Sequence, residues 1–325
     1  MSGPIHCMAI PTPFMVGRVN CYLIDDDPLT LVDTGPNSGK ALDALERALA
    51  DHGRRIEDLE RIVITHQHLD HLGLVGILAD RSGAEICALD LLAPVLEEFG
   101  AHAERDDELA EALMLRNGIP RDVVSALRSV SRSFRGWGGS APVDRRLADG
   151  DRLGFAGRTL EVQHRPGHSP SDTLFWDGEH GTLIGGDHLI KHISSNPLIS
   201  RPLGGRSGEP GARPRALMMY IKSLRETREL PADVVLAGHG EPVTDHVALI
   251  DERFAMHERR AAKIAGLIAE RARTAHELAQ ALWGNIAVTQ AYLTLSEVLG
   301  HVDLLIDRGD VREVEVGGVI RYQSS

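Results

Sequence analysis

Four side chains able to bind a divalent cation or carry a proton fall within six residues of one stretch, Thr65-His66-Gln67-His68-Leu69-Asp70-His71-Leu72-Gly73. Imidazole and carboxylate are the donors that suit Zn, Fe or Mn. A lone histidine is ordinarily a core or surface residue, but packing alone gives little reason for His66, His68, Asp70 and His71 to crowd together. His66 and His68, two apart, can converge on one ion, whereas Asp70 and His71 are placed for a second. Neither set is complete, so the stretch calls for further ligands downstream.

The elements that would position them can be read from apolar runs. Arg61-Ile62-Val63-Ile64 is short, β-branched and apolar, and predicts a buried strand that delivers the histidines to one end of a sheet. Three later segments repeat the arrangement. Leu160 to Ser169 is a strand followed by a Pro166-Gly167 turn and His168. Thr182 to His188 ends at Gly185-Gly186-Asp187, and Val234 to Gly240 places His239 between two glycines. Each candidate follows a strand and adjoins residues that let backbone approach closely. The four segments are therefore expected to meet at one sheet edge.

Taken in order, His-x-His-x-Asp-His, Pro-Gly-His-Ser, Gly-Gly-Asp and Gly-His-Gly resemble the metallo-β-lactamase superfamily. Asn20-Cys21-Tyr22-Leu23-Ile24 and Leu31-Val32-Asp33-Thr34-Gly35 resemble its early strands, so the likeness covers roughly residues 15 to 245. It implies an α/β fold, the αββα sandwich, with every position of the pattern present. It further implies that His66, His68 and His168 hold one metal, that Asp70, His71 and His239 hold the other, and that Asp187 bridges them. Asp33 would orient a ligand histidine from behind. The cofactors implied are two divalent ions, Zn first, with Fe or Mn accepted by the same donors. Such a pair of ions would supply water activated near neutral pH for attack on an acyl carbon or phosphorus, with Asp70 as ligand and catalytic proton acceptor. No protein nucleophile is required.

Composition narrows the partners. The chain has 325 residues and a formal charge of -12, enough for one large domain and a smaller one. Such a charge does not favour nonspecific attraction to nucleic acid or anionic membrane. Cys7, Cys21 and Cys87 are scattered, which describes neither a disulfide framework nor a thiolate metal site. Buried free thiols in a reducing, cytoplasmic setting are expected. Residues 1 to 14 lack the pattern of a signal peptide, and no apolar run reaches membrane-spanning length.

Residues 16 to 33 read as two strands around a solvated turn at Asp25-Asp26-Asp27-Pro28. An amphipathic helix follows over 38 to 52, capped by Ser38 and ended by Gly53. A helix from 74 to 80 and a strand from 84 to 88 continue a layered α/β order. Residues 90 to 140 read as a helical insertion with helices at 90–99, 103–116 and 120–133, a candidate lid over the metals. Phe134 to Gly139 could form an aromatic edge of the pocket. His188, His192, Ser194 and Asn196, close after Asp187, are candidates to orient substrate. Residues 200 to 215, with four arginines, read as a long irregular loop.

From Pro242 the character changes. A long helix is expected over 246–272, another capped by Thr274, a third over 288–308, and a hairpin turning at Gly317-Gly318. This resembles a winged helix, which sets domains at 1–241 and 242–325. Over 242–325 there are 9 Lys plus Arg against 12 Asp plus Glu, a net of -3, where a phosphate-reading module would be basic. The tail is therefore read as a structural or homodimer-forming appendage. A small ester, thioester or lactone is the expected substrate, by resemblance to glyoxalase II and lactonases. Metal-dependent endoribonuclease activity and a non-hydrolytic di-iron protein are the alternatives. β-Lactam hydrolysis is disfavoured by the missing export signal.

Overall fold

A strand buried on both faces should be apolar throughout, and the four residues Arg61–Ile64 are all buried. The structure, a computed structural model, describes residues 3–204 and 213–325. Arg61–Ile64 is β4 of a six-stranded sheet in which β1 (Ile5–Ile10), β2 (Val19–Ile24), β3 (Thr30–Val32), β4, β5 (Glu85–Leu89) and β6 (Arg145–Leu147) lie in sequence order. The pairs from β1 to β3 are antiparallel and those from β3 to β6 parallel. A second sheet runs β7 (Arg152–Gly154), β8 (Thr159–His164), β9 (Thr173–Asp177), β10 (Thr182–Gly186) and β11 (Val234–Ala237), parallel only between its last two strands.

The inner faces of the two sheets meet through Tyr22, Ile24, Val32 and Val63 on one side and Leu160, Val162, Phe175 and Ile184 on the other. On the outer face of the first sheet lie α1 (Gly39–Asp51), α2 (Leu69–Leu72) and α3 (Val75–Ser82), with Leu45, Leu49, Val75 and Leu78 packed on Leu23, Leu31 and Ile62. Ser38 caps α1 by accepting the Ala41 N–H at 3.1 Å, and Gly53 follows it at φ 69°. Strand β1 was not expected. Three prolines mask it, and it is a sheet edge with alternate residues exposed, among them Cys7, which is therefore not the buried thiol anticipated.

Residues 90–140, the stretch read above as an insertion, contain α4 (Ala93–Glu97), α5 (Phe99–Arg116) and α6 (Arg121–Phe134). The outer face of the second sheet is covered by α7 (Ala216–Arg228) and α8 (His246–Glu270), giving the four layers of the αββα sandwich. The chain ends with α9 (Ala275–Trp283), α10 (Ile286–Thr289), α11 (Ala291–Asp307) and the hairpin β12 (Val311–Val316) and β13 (Val319–Ser324). Gly317 and Gly318 both have positive φ, as a two-residue hairpin loop with the sheet's twist demands. The single helix expected over 288–308 is broken at Gln290, whose φ of -123° and ψ of 42° lie outside the helical range.

Leu113, Met114, Ile119 and Val124 of the insertion share one apolar core with Ile264, Leu278, Leu295, Leu299 and Tyr322. At their junction the buried Asn117 accepts the His276 N–H at 3.2 Å on its carbonyl and the Tyr322 hydroxyl at 3.0 Å on Oδ1. Helices α5 and α6 are thus anchored on the C-terminal helices. Of the irregular loop expected over 200–215, residues 205–212 lie outside the described residues, Arg206 among them. No helix among the described residues is long and apolar enough to cross a membrane.

Candidate metal centre

Parallel pairing of β3 and β4 brings their C-terminal turns side by side. Asp33, just after β3, sits at φ 60° and accepts the Thr65 N–H and Oγ1–H at 2.9 and 2.8 Å, which fixes the turn leading to His66. One turn of helix, α2, then presents Asp70 and His71. Glycine decides whether the other turns can close. A Cβ at Gly167 would fall 2.4 Å from the Tyr220 Cα, and one at Gly238 only 2.3 Å from Asp187 Oδ1. His168 and His239 reach the centre because those side chains are missing.

All seven sequence candidates converge. His68 Nδ1 lies 2.9 Å from both His66 Nε2 and His168 Nε2. His66, His68, His168 and Asp187 form one group, and Asp70, His71 and His239 a second, with donor atoms inside each group within 4.8 Å of one another. Asp187 lies between the groups: Oδ2 is 3.5 Å from His168 Nε2 and 3.4 Å from His239 Nε2, and Oδ1 is 3.4 Å from His71 Nε2. His239 Nε2 is also 3.3 Å from Asp70 Oδ2.

The donor set fits a pair of cations. The Nδ1 atoms of His168 and His239 lie 3.2 and 2.7 Å from the carbonyls of Asn196 and Arg18, partners that only an N–H can serve. Each Nε2 is then left as a lone pair aimed inward. His71 Nδ1 is 2.7 Å from Asp33, and His66 Nδ1 is 3.0 Å from Thr65 Oγ1. His71 Nε2 and Asp187 Oδ1 are buried with no hydrogen-bond partner. A buried polar atom left so costs about 1–3 kcal/mol, which coordination would offset.

Burial pushes the His66 imidazolium well below its ordinary pKa and that of His68 down to about 3, so both rings are neutral donors at pH 7. For Asp187, burial opposes ionisation, but His71 and His239 beside it hold the carboxyl well below the usual range. The same balance lowers Asp70, with His71 and His239 outweighing burial. Burial opposes charge on His71 and His239 too, yet Asp187 above all raises both, His239 to about 9. Two buried carboxylates demand positive charge, and divalent cations would provide it while displacing protons.

The polar loop after Asp187 behaves differently from expectation. His188 is buried away from the centre, with Nε2 2.9 Å from Thr227 Oγ1 and its carbonyl accepting the Tyr220 hydroxyl at 2.7 Å. Asn196 acts through its backbone, and its amide donates to the Leu293 carbonyl at 3.1 Å. His192 is exposed beside Gly240. Sequence reading missed Thr65, the Arg18 carbonyl and Asn20, whose Nδ2 donates to the carbonyls of Ala237 and Gly240, both at 2.9 Å, and so holds the turn around His239. Backbone acceptors leave no mark in a sequence, although Asn20 stands at a polar break in an apolar strand. Phe134 and Trp137 pack with Phe14 at centroid distances of 5.9 and 5.5 Å, and the Trp137 carbonyl accepts the Asn37 N–H at 2.7 Å.

Comparison with known proteins agrees with this geometry. Probable metallo-hydrolase YqjP of Bacillus subtilis is 32% identical over 304 residues, 93% of this chain and 92% of the relative. Hydroxyacylglutathione hydrolase GloC of Haemophilus influenzae is 28% identical over 244 residues, 71% of this chain and 90% of the relative. The crystal structure of a metallo-β-lactamase family protein from Thermus thermophilus, 28% identical, matches with a TM-score of 0.80 over 99% of this chain and 98% of that one. Residues 15–239 match the family model described as metallo-beta-lactamase superfamily, and the chain belongs to that superfamily.

Proposed function

We propose that the chain is a dinuclear metal-dependent hydrolase of a small carboxylic ester, thioester or lactone. The observation that carries this reading is the placement of Asp187 between two donor groups, each otherwise built from histidine and aspartate. His66, His68 and His168 would hold one cation, Asp70, His71 and His239 the other, and Asp187 both. Zn suits this imidazole-rich set, and Fe or Mn could occupy it. Cations held there supply Lewis acidity and activation of water near neutral pH.

The chain's own groups do the rest. Asp33, Thr65 and the carbonyls of Arg18 and Asn196 fix which ring nitrogen faces inward, and Asp70 is the carboxylate that can take up a proton. Apolar side chains stand exposed on segments tied to ligands: Met15 near Arg18, Phe134 by Trp137, Ile193 after Asp187, and Leu293 against Asn196. The net charge of -12 favours an uncharged acyl substrate over a polyanion. GloC, whose name gives it a thioester substrate class, supports the chemistry without fixing the substrate. The free cysteines fit a reducing cytoplasm. Residues 242–325 are read as a winged-helix-like domain with a structural role.

Elemental analysis and a substrate panel test the reading. Acyl thioester or lactone turnover that is indifferent to salt, abolished by a chelator and restored by Zn, Mn or Fe is expected. Salt-sensitive cleavage of RNA with no acyl turnover would establish the nuclease alternative instead.

A further inference from the structure

Arg253, on α8, is only 7% exposed. A guanidinium taken out of water is costly unless its charge and N–H groups are met. Its Nη2 donates to three carbonyls of one segment, Ile190 and Lys191 at 3.1 Å and Ile193 at 3.2 Å. The nearest carboxylate, Glu252, is solvent-facing and lies 3.5 Å from Nη1, so an ion pair does not explain the burial. The segment concerned begins three residues after Asp187.

Its far end is held as well, by α11. Ile199 N–H donates to Ser296 Oγ at 3.3 Å, Tyr292 Oη–H donates to the Ile199 carbonyl, and the Asn196 amide donates to the Leu293 carbonyl. Between these anchors the Asn196 carbonyl accepts from His168 Nδ1. Residues 190–199 therefore join the C-terminal helices to two ligands of the first donor group, Asp187 by peptide bonds and His168 by a hydrogen bond. We propose that Arg253, helped by Tyr292 and Ser296, positions Asp187 and His168 through this segment, so that the C-terminal helices complete the metal centre. The inference rests on the metal-hydrolase reading above and gives residues 242–325 a task beyond covering the sheet.

Cobalt titration of the chelator-stripped full chain tests it, read by dialysis equilibrium and by the visible bands of the loaded protein. R253M keeps the apolar stem and removes the donors. Its cobalt affinity at the first donor group should fall about 10- to 100-fold, the loss typical of partners that orient a ligand, with shifted visible bands. R253K should recover most of the loss, because an ammonium carries three N–H groups for three carbonyls. If R253M does not fold, as judged by near-ultraviolet circular dichroism, Y292F/S296A decides, with an expected loss of about threefold and the same direction of band shift. Parental affinity and bands in folded R253M, or in Y292F/S296A when R253M is unfolded, would overturn the proposal alone. A parental chain that takes up no cobalt would overturn the metal reading and this inference together.

Discussion

The metal centre and the helical core of α5, α8, α9 and α11 are both buried, yet they are built on opposite terms. At the centre, seven polar side chains crowd into loops and the single turn α2, and the rings of His66, His71, His168 and His239 are each aimed by a partner outside the cluster, such as Asp33 or the Arg18 carbonyl. In the helical core, Leu278, Leu295, Leu299 and Val302 are held by shape and area alone. The first arrangement exacts desolvation of charge and the second gains stability from burial. The protein thus sets charged ligands that are costly to bury beside a helical core that gains stability from burial.

Replacing Asp187 should show the difference most sharply. D187A removes the one carboxylate shared by both groups, and turnover of an acyl substrate should fall on the order of 10³-fold or more, a loss of several kcal/mol of charge stabilisation. Elemental analysis should find one bound ion or none. The metal-free protein should also lose some stability, because His71 and His239 are left without the buried carboxylate that raises both. Hydrolysis at the parental rate would end the dinuclear reading.

L278A is the mirror experiment. Leu278 is fully buried on α9, and its truncation should cost about 2–5 kcal/mol of stability. Metal stoichiometry should stay unchanged. A variant that loses ions as readily as D187A would mean that the two regions are not separable. D33N sits between these cases: it keeps the shape but weakens the acceptor of His71 Nδ1. Its affinity for the ion held by the His71 group should fall about 10- to 100-fold in competition with a chelator, with a smaller fall in melting temperature than that of L278A.

Much of the centre was legible because ligands are named by residue type and strands by apolar runs. His66, His68, Asp70, His71, His168, Asp187 and His239 each follow a run that pairs where the pattern requires. What stayed hidden has physical causes. β1 is a half-exposed edge strand among prolines, and α10 and α11 part at Gln290 without a glycine or proline to mark the break. His188 looked like a site residue because it adjoins Asp187, but the turn at Gly186 sends it towards α7. The insertion's attachment to the C-terminal helices depends on Asn117, whose role is set by residues some 160 and 205 positions away, reckoned by loop closure rather than by local pattern.

The smallest effect expected concerns how stability in the helical region varies with pH. His257 and His301 are buried between α8 and α11, with His257 Nδ1 3.1 Å from His301 Nε2 and His301 Nδ1 donating to the Glu297 carbonyl at 2.7 Å. That donation fixes His301 as an acceptor at Nε2, so the His257 Nδ1–H must donate to it and both rings are neutral. Burial first, then the neighbouring ring for His257 and Arg260 for both, lowers each pKa to about 4, against opposition from Glu297 at His257 and Glu258 at His301. Between an unfolded value near 6.5 and about 4, the unfolded chain binds more protons than the folded one. Their contribution is therefore whole above pH 6.5 and declines as pH falls through that window. Denaturant midpoints of the metal-free protein at pH 7 and pH 5 should differ more in the parent than in H257Q/H301Q, by on the order of 1–2 kcal/mol. The other titrating groups are common to both proteins and cancel in that comparison, so equal pH dependence would show that this pair is indifferent to protonation.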